Sequence, residues 1–406
     1  MFNPETIKQQ FPIFKQKTPL GQDLVYLDNA ATCQKPLAVI DRITDFYAKE
    51  YGTVGRSSYW PATETTKNYN EVRGKVQRLL NAAHEDEIVF TSGTTDAINK
   101  VANSFLRPRL NAGDVVIISE MEHHANLIPW QQICTEKGAL LKVIPILDSG
   151  ELDYEALESL LTNKVKLLAV TGVSNALGIK NDLLRIIKAA KGFEVPVFID
   201  AAQSVAHSEI DVVALDCDFL VFSGHKIYGP TGVGVLFGKR ERLREMAPLN
   251  YGGGIVKEVT IEAASFQQSP NKHEAGTPNI AGVIGLGAAV DFINEIGYAE
   301  ISAHTKAITG YALEQLKAME GIQVIGDVDD RAPVISFVME GVHAHDLSTF
   351  LNEKGICIRA GHHCAQPLMH RLNLMATARI SFAIYNTKAD IDALIIALKE
   401  TQAFLS

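Results

Sequence analysis

The chain has 406 residues, of which 47% are hydrophobic and 21% are charged, and its formal net charge is −9. The acidic balance, without a dense basic run, argues against nucleic acid or an anionic membrane surface as the main partner. The sequence contains no run of about 18 apolar residues that could cross a bilayer, and its first residues do not resemble a signal peptide. Five scattered cysteines, an odd number, predict a reducing compartment rather than a disulfide framework, so the expected location is the cytoplasm.

The first predicted element is a helix at Pro4–Gln10, whose packing partner the sequence leaves open. From about residue 85 to 240, short apolar runs alternate with helical patterns such as Thr94–Leu106. The predicted strands are Glu87–Thr91, Val115–Ser119, Leu141–Ile146, Lys166–Thr171, Val195–Ile199, Phe219–Phe222 and Val233–Phe237. Several of these runs lack polar alternation, which is typical of strands covered on both faces. The alternation therefore predicts an α/β fold with a mainly parallel, seven-stranded sheet flanked by helices.

The pattern changes after this sheet. Gly252 opens a polar stretch that is predicted to be irregular as far as Pro278. Two helices and three short strands are predicted after it: Ala281–Ile296, Ser302–Met319, Val334–Val338, Ile356–Arg359 and Ala378–Phe382. We expect residues 21–289 to form a large domain, and residues 1–20 and 290–406 to form a smaller α+β domain.

Two residues at strand ends point to a cofactor. Lys226 lies in a glycine-rich segment directly after a predicted buried strand. A buried, unpaired ammonium is costly, although a lone lysine there also fits a surface loop. Asp200 ends another strand at the sheet edge where α/β proteins bind ligands. Its carboxylate could pair with a pyridinium nitrogen or cap the next helix.

Two further segments fit the same picture. Thr91–Thr95 leads into a predicted helix, and backbone N–H groups with nearby hydroxyls at a helix start form a phosphate site. An ordinary helix cap is the alternative. His123 follows the strand Val115–Ser119 and could stack on an aromatic ring or shuttle protons, or its role could be structural.

These segments carry a resemblance to a known family. The segments that resemble the class V aminotransferase family, in the family's order, are Tyr26–Thr32, Gly93–Thr95, Glu122–Asn126, Val173–Asn175, Asp200–Gln203, Ser223–Lys226 and Glu274–Asn279. Within that family, Arg359–Ala365 is similar to the SufS/CsdA-type cysteine desulfurases. The resemblance spans essentially the whole chain. It implies fold type I of the pyridoxal-5′-phosphate (PLP) enzymes, PLP as cofactor and L-cysteine as substrate.

The resemblance also implies roles for individual residues. Lys226 would form the Schiff base, Asp200 would pair with the pyridinium nitrogen, and Gln203 would hydrogen-bond the ring hydroxyl. His123 would stack over the ring and take part in catalysis. The residues implied for the phosphate are Thr94, Thr95, Ser223 and His225, with Thr277 from a second subunit, and those implied for the substrate are Asn175, Arg359 and Arg379.

One segment departs from the family pattern. The chain has Gly55-Arg56 where the family usually has His-Arg. The resemblance therefore implies no role for residue 55 at a subunit boundary, while the cofactor residues are unaffected.

Cys364 is the predicted sulfur-carrying residue. It lies in a loop after Arg359, beside His362 and His363, whose positive charge would favour the reactive thiolate. The other cysteines are expected to pack as small apolar residues: Cys33, Cys134, Cys217 and Cys357. For Cys33, which follows Asn29–Thr32, a position near the site is the alternative. A metal site is not expected at His123-His124, His343/His345 or His362-His363, because adjacent histidines in extended chain point to opposite faces and zinc needs three or four convergent ligands.

The predicted function is therefore a PLP-dependent cysteine desulfurase. It would release L-alanine and leave a persulfide on Cys364 for iron–sulfur cluster assembly or related sulfur transfer, with selenocysteine as a further substrate. A homodimer and a SufE-like or SufU-like sulfur acceptor are the expected partners. The alternatives are another class V PLP lyase, an epimerase or aminotransferase that does not need Cys364, and a non-catalytic scaffold in a sulfur-transfer complex.

Overall fold

The structure of the protein is a computed structural model that describes residues 2–55 and 57–405. Its helices are α1 (Pro4–Lys8), α2 (Leu37–Asp45), α3 (Trp60–Leu79), α4 (Thr94–Val101), α5 (Ile128–Lys137), α6 (Tyr154–Leu160), α7 (Leu183–Lys191), α8 (Val212–Leu215), α9 (Arg240–Glu245), α10 (Ile280–Ile296), α11 (Tyr298–Lys317), α12 (Ala344–Glu353), α13 (Gln366–Arg371) and α14 (Lys388–Leu405). Its strands are β1 (Val25–Tyr26), β2 (Ile88–Thr91), β3 (Val115–Ser119), β4 (Leu140–Ile144), β5 (Val165–Thr171), β6 (Val197–Asp200), β7 (Phe219–Ser223), β8 (Gly234–Gly238), β9 (Val256–Val259), β10 (Ala264–Phe266), β11 (Ile322–Ile325), β12 (Val334–Met339), β13 (Ile356–Cys357), β14 (Arg359–Gly361) and β15 (Thr377–Ser381).

The large sheet has the strand order β2-β8-β7-β6-β5-β3-β4, and β8 runs opposite to its two neighbours. Side chains along β5 alternate between two apolar clusters. Leu168 and Val170 pack into one of them, and Leu167 and Ala169 pack into the other. Both faces of the sheet are therefore buried, as continuous apolar strands require. The prediction of a mainly parallel, seven-stranded sheet flanked by helices is confirmed.

A second, antiparallel sheet has the order β11-β12-β15-β14, with α11 and α12 packed against it and α14 packed against those two helices. The single predicted strand Ile356–Arg359 is divided in the structure. Its first part, β13, pairs in parallel with β1, whereas β14 pairs with β15, so the chain changes partners at Ile358. This smaller α+β unit agrees with the prediction. Val25 and Leu27 belong to its core, and the domain division at residues 20 and 289 remains a prediction.

The largest difference from the sequence prediction lies between Gly252 and Pro278. This stretch contains an antiparallel hairpin, in which β10 pairs with β9. Its strand residues are mostly exposed, so no apolar period marks them. The prediction of an irregular segment is therefore wrong for the hairpin.

The N-terminal helix is α1, which is two residues shorter than predicted at its C-terminal end. Asn3 Oδ1 caps it by accepting a hydrogen bond of 2.9 Å from Glu5 N. Lys8 at its end forms an ion pair of 2.7 Å with Asp390 of α14. Phe11, just after α1, is fully buried against aromatic rings that include Tyr228. The N-terminal segment thus contacts both the region that follows strand β7 and the C-terminal helix α14.

Within the part of the chain that the structure describes, no helix by itself has the length and apolar composition needed to span a bilayer. The consecutive helices α10 and α11 meet the requirements of length and composition only as a pair, and they are bent by 79° where they meet.

Candidate active site

A cavity of about 480 Å³ opens where the carboxyl ends of β5, β6 and β7 face the small antiparallel sheet. The large sheet places ligand-binding side chains at this edge, as α/β folds generally do. The predicted residues that line the cavity are Thr94, Thr95, His123, Asn175, Asp200, Gln203, Ser223, His225, Lys226, Arg359, Cys364 and Arg379. The structure therefore brings almost the whole predicted set together.

One end of the cavity is rich in donors. The hydroxyl groups of Thr94 and Ser223 lie 2.8 Å apart, and Thr94 N donates to Ser223 Oγ at 2.8 Å. Helix α4 begins here, and its N-cap residue Gly93 has no side chain to satisfy the first turn. A Cβ added to Gly234 would lie 2.5 Å from Gly93 Cα, so this close approach requires glycine at position 234. Free N–H groups with hydroxyls beside them fit a phosphate group.

Asp200 and Lys226 lie deeper in the cavity. Asp200 is 4% exposed, and one of its oxygens, Oδ1, accepts from Ala202 N at 2.9 Å. Burial raises the pKa of Asp200, and the charge of Lys226 opposes this rise. Burial likewise lowers the pKa of Lys226, which favours the neutral, nucleophilic amine. Among the described residues, nothing accepts a hydrogen bond from the Lys226 amine.

These observations fit the pyridine ring and aldehyde of PLP. A buried carboxyl with a raised pKa needs a cationic partner to remain ionised near neutral pH. The protonated ring nitrogen of PLP is such a partner. An uncommitted amine is the group that an aldehyde needs. Gln203 is buried beside them, and its Nε2 donates to Ala30 O at 2.7 Å, which leaves one N–H of the amide for a ring hydroxyl.

His123 borders the same space. Its Nδ1 accepts a hydrogen bond of 3.0 Å from Ala125 N, so the proton of the neutral ring is on Nε2. Burial, together with the charge of Lys226, lowers the pKa of His123 to about 4. The ring is therefore neutral at pH 7. Its stacking over the cofactor remains a prediction.

Two arginines of the small sheet share one carboxylate. Arg379, 3% exposed, donates through Nη2 to Asp28 Oδ1 at 3.0 Å, and Arg359 Nε lies 3.3 Å from Asp28 Oδ2. Arg379 Nη1 donates to Asn175 O at 3.0 Å. Among the described residues, no acceptor reaches the buried Nε of Arg379. This donor is available for the carboxylate of a substrate, as the sequence predicts.

We expect Arg379→Ala to raise the KM for L-cysteine about tenfold or more, because a lost charge-assisted hydrogen bond is worth roughly 1.5–3 kcal/mol. Arg379→Lys should recover only part of the loss, since an ammonium lacks the planar fork of a guanidinium. Steady-state kinetics of both variants measure the effect. A Lys variant with the KM of the unmodified protein would count against direct contact with the carboxylate.

Cys364 is the exposed cysteine of the five. His363 and Cys364 both have positive φ, +53° and +55°, a backbone region that is strained for residues other than glycine. Neighbouring segments hold the loop: Asn175 Nδ2 donates to His363 O at 2.7 Å, and His124 N donates to Cys364 O at 2.7 Å. The loop therefore presents Cys364 at a defined place on the cavity wall.

The positive charge expected around Cys364 is smaller than the sequence predicts. Burial, with the charges of Arg379 and Arg359, lowers the pKa of His363 to about 3. Its Nε2 lies 2.8 Å from Thr377 Oγ1. His363 is therefore neutral near pH 7, and the charge predicted for it is wrong. Burial also lowers the pKa of His124, whose ring lies 5.8 Å from that of His362.

The sequence analysis assigned no site role to two residues that the structure places here. Asp28 links Arg359 to Arg379, and only its position in the segment Tyr26–Thr32 could have indicated this. His345, at the start of α12, lines the cavity. It was considered only as a metal ligand, because its position depends on how α12 packs against the small sheet.

Two predicted positions lie apart from the cavity wall. Thr277 is exposed and does not line the cavity, so its role in a second subunit remains a prediction. Gly55 has a φ of +120°, and an added Cβ would meet nothing within 4 Å. Glycine suits this backbone better than the histidine that is usual in the family. Arg56 lies outside the described residues.

The chain is similar to known proteins over nearly its whole length. The model of the family described as Aminotransferase class-V matches residues 25–394. The chain is 45% identical over 402 residues to a "Probable cysteine desulfurase" of Halalkalibacterium halodurans, which covers 99% of this chain and 98% of the relative. It is also 45% identical to a cysteine desulfurase of Dickeya dadantii, over 99% and 97% of the two chains. The crystal structure of the Escherichia coli cysteine desulfurase CsdA, in an S-sulfonic acid form, superposes with a TM-score of 0.93 at 41% identity and full coverage of both chains.

Proposed function

The chain belongs to the class-V aminotransferase family, and from this premise we propose that it is a PLP-dependent cysteine desulfurase that carries sulfur on Cys364. The family and fold predicted from the sequence are confirmed, and so is PLP as the cofactor. The observation that carries the proposal for the site is a single cavity that joins a partly buried amine, Lys226, to an exposed thiol, Cys364. An aminotransferase or epimerase needs the first group but not the second.

The residues proposed to hold PLP are those that fit its parts. The start of α4 with Ser223 suits the phosphate, Asp200 suits the ring nitrogen, and Lys226 suits the aldehyde. When bound, PLP supplies an electron sink that makes bonds at the substrate α-carbon and β-carbon easier to break. Asp200 maintains this property because its carboxylate keeps the ring nitrogen protonated.

Substrate placement depends on the small sheet. Arg379 Nε faces the position proposed for the carboxylate of L-cysteine, and Asp28 holds the guanidinium through Nη2. A guanidinium with one side fixed loses little freedom on binding the substrate. Lys226, once free, is placed to accept the α-proton, and its lowered pKa suits a general base near neutral pH.

Cys364 performs the sulfur transfer. Its thiolate attacks the sulfur of L-cysteine, so that a sulfur–sulfur bond forms and the carbon–sulfur bond breaks. The electron pair of the broken bond stays with the substrate carbon, which then takes up a proton and leaves as L-alanine. The products are thus L-alanine and a persulfide on Cys364.

We expect Asp200→Ala to weaken PLP binding about tenfold or more, because the variant lacks a charge-assisted hydrogen bond worth roughly 1.5–3 kcal/mol. Turnover should fall further, since the unpaired ring is a poorer electron sink. Equilibrium dialysis of the cofactor and an alanine assay measure the two effects. If Asp200→Ala kept near-normal turnover, Asp200 would act only as a cap for the residues that follow it.

An alanine and sulfide assay with L-cysteine, with and without a thiol reductant, tests the proposed function. A parallel panel of selenocysteine, kynurenine and alanine enantiomers distinguishes the alternatives, namely a different lyase or an epimerase. Purified protein that forms L-alanine from L-cysteine would support the proposal. Protein that stays colourless with added PLP would instead support a non-catalytic scaffold.

The persulfide is proposed to pass to a second protein. A persulfide is stable until another thiol attacks its outer sulfur. The hydrogen bonds to the carbonyl groups of His363 and Cys364 hold the loop and limit how far Cys364 can reach. A SufE-like or SufU-like acceptor with its own cysteine, supplying iron–sulfur cluster assembly or related transfer, fits this need. Such an acceptor should markedly raise turnover with L-cysteine.

Selenocysteine is a proposed further substrate. The five free cysteines suit the reducing cytoplasm proposed as the location.

A homodimer is proposed because the exposed β9–β10 hairpin and Thr277 do not contribute to the cavity of their own chain. We expect hybrid dimers of a Lys226→Ala chain and a Thr277→Ala chain to exceed the activity of either parent, since one of the two sites would then be intact. Assays of mixed, refolded chains measure this. Hybrids no more active than their parents would leave Thr277 within its own subunit.

A further inference from the structure

The carbonyl group of His225 is held by an unusual number of donors. It accepts hydrogen bonds from Cys33 N at 3.0 Å, from Thr32 Oγ1 at 3.2 Å and from Lys35 Nζ at 2.9 Å. All three donors come from the short segment Thr32–Lys35, which lies about 190 residues earlier in the chain. An ammonium among them makes one of these bonds charge-assisted and therefore stronger than a neutral bond.

The same segment also holds the next carbonyl group. Cys33 is 2% exposed, and its Sγ donates to Lys226 O at 3.0 Å. Burial raises the pKa of Cys33 to about 11, so the thiol keeps the proton that it donates. The peptide groups on both sides of Lys226 are thus fixed by Thr32–Lys35. Because a peptide group is planar, fixing both of them restricts φ and ψ of Lys226 and thereby the direction of its Cα–Cβ bond.

Lys35 is the charged member of this arrangement. It is half-buried, and its Nζ also donates to Cys33 O at 2.5 Å. Within the described residues it has no carboxylate partner, so its charge is satisfied by the two backbone carbonyls. Burial lowers the pKa of Lys35 to about 8, which leaves the amine mainly protonated at pH 7. A half-buried ammonium without a counter-ion is unfavourable, and its placement on the carbonyl before Lys226 therefore suggests a role beyond packing.

The segment is itself rigid. Gln34 N donates at 3.0 Å to the hydroxyl of Tyr385, which is fully buried and also donates to Asn29 Oδ1. The donors that hold Lys226 are therefore attached to the core and not to a free loop.

We propose that Lys35 is a positioning residue that, with Thr32 and Cys33, fixes the backbone of Lys226 so that its amine meets the cofactor aldehyde and then the substrate α-proton. Lys35 does not line the cavity, and it acts only through the His225–Lys226 peptide. This inference rests on the proposed role of Lys226.

The test uses Lys35→Met, which keeps an unbranched chain and removes the charge and the donors. The rate at which added PLP becomes linked to Lys226 in the apo-protein is followed by absorbance and confirmed by borohydride labelling of that peptide. The same substitution in a Lys226→Ala background reports the affinity for PLP without the link, by equilibrium dialysis. Thermal unfolding of the apo-proteins reports stability.

We expect Lys35→Met to slow the linkage about tenfold, the effect of one lost charge-assisted bond, and to change PLP affinity in the Lys226→Ala background much less. Lys35→Arg should recover part of the rate, and Lys15→Met, at an exposed lysine, should change nothing. If Lys35→Met unfolds the protein, Thr32→Val removes another donor to the same carbonyl and should slow the linkage by a smaller factor. An unchanged rate of linkage in Lys35→Met overturns the positioning role. So does a loss of PLP affinity in the Lys226→Ala background that is as large as the loss of linkage rate. A borohydride label on another lysine instead contradicts the proposed function.

Discussion

Lys226→Ala is expected to abolish the formation of L-alanine from L-cysteine while leaving a folded protein that still binds PLP. A positioned acid–base group contributes typically about 10²–10⁴-fold to a rate, and Lys226 is proposed to supply the link to the cofactor as well, so the loss should be at least this large. PLP should still bind through the start of α4 and Asp200, whose hydrogen bonds do not involve the Lys226 side chain.

Borohydride treatment of the unmodified protein tests the same residue by an independent route. It should fix the cofactor covalently to the peptide that contains Lys226, and Lys226→Ala should show no such label. Lys15→Ala, at an exposed lysine, is the matched control and should keep both label and activity. A label on a different lysine, or persistent turnover in Lys226→Ala, would contradict the assignment.

Cys364→Ser is expected to reduce sulfur release to the level of a protein-free control. A serine hydroxyl is not deprotonated near neutral pH and attacks sulfur poorly, whereas a cysteine thiolate is the reactive form. Substrate binding should survive, because it is proposed to depend on Arg379 and Asn175 and not on the thiol. A spectral change on adding L-cysteine, without accumulated persulfide, is the expected result.

Cys134→Ala is the matched control for this substitution. Cys134 is a buried cysteine on α5 in an apolar cluster on one face of the large sheet, and it does not line the cavity. The Cys134→Ala variant should keep near-normal turnover, with at most a loss of stability from the small void left behind. Equal loss of activity in both variants would show that the effect at Cys364 is not specific.

The large sheet was predictable because its strands are buried on both faces, which leaves a continuous apolar signal in the sequence. Strand β3 was predicted with its observed bounds, Val115–Ser119. The β9–β10 hairpin carries no such signal, since its residues are mostly exposed. The division of the predicted strand at Ile358 depends on pairing with β1 and β15, which are distant in sequence.

For the site, the sequence identified most of the cavity-lining side chains but few of their interactions. The bridge that Asp28 makes between Arg359 and Arg379 joins residues more than 300 positions apart. The neutral state of His363 follows from its burial, which no local pattern indicates. The donors from Thr32–Lys35 to the backbone of Lys226 are likewise a tertiary feature.

Mass spectrometry after one equivalent of L-cysteine tests whether Cys364 carries the abstracted sulfur. The PLP-loaded protein is mixed with substrate, its free thiols are blocked, and its peptides are mapped for an added sulfur atom. We expect one additional sulfur on the peptide containing Cys364, in step with released L-alanine, and none in Cys364→Ser. Added sulfur on Cys33 or Cys357, with Cys364 unmodified, would contradict it.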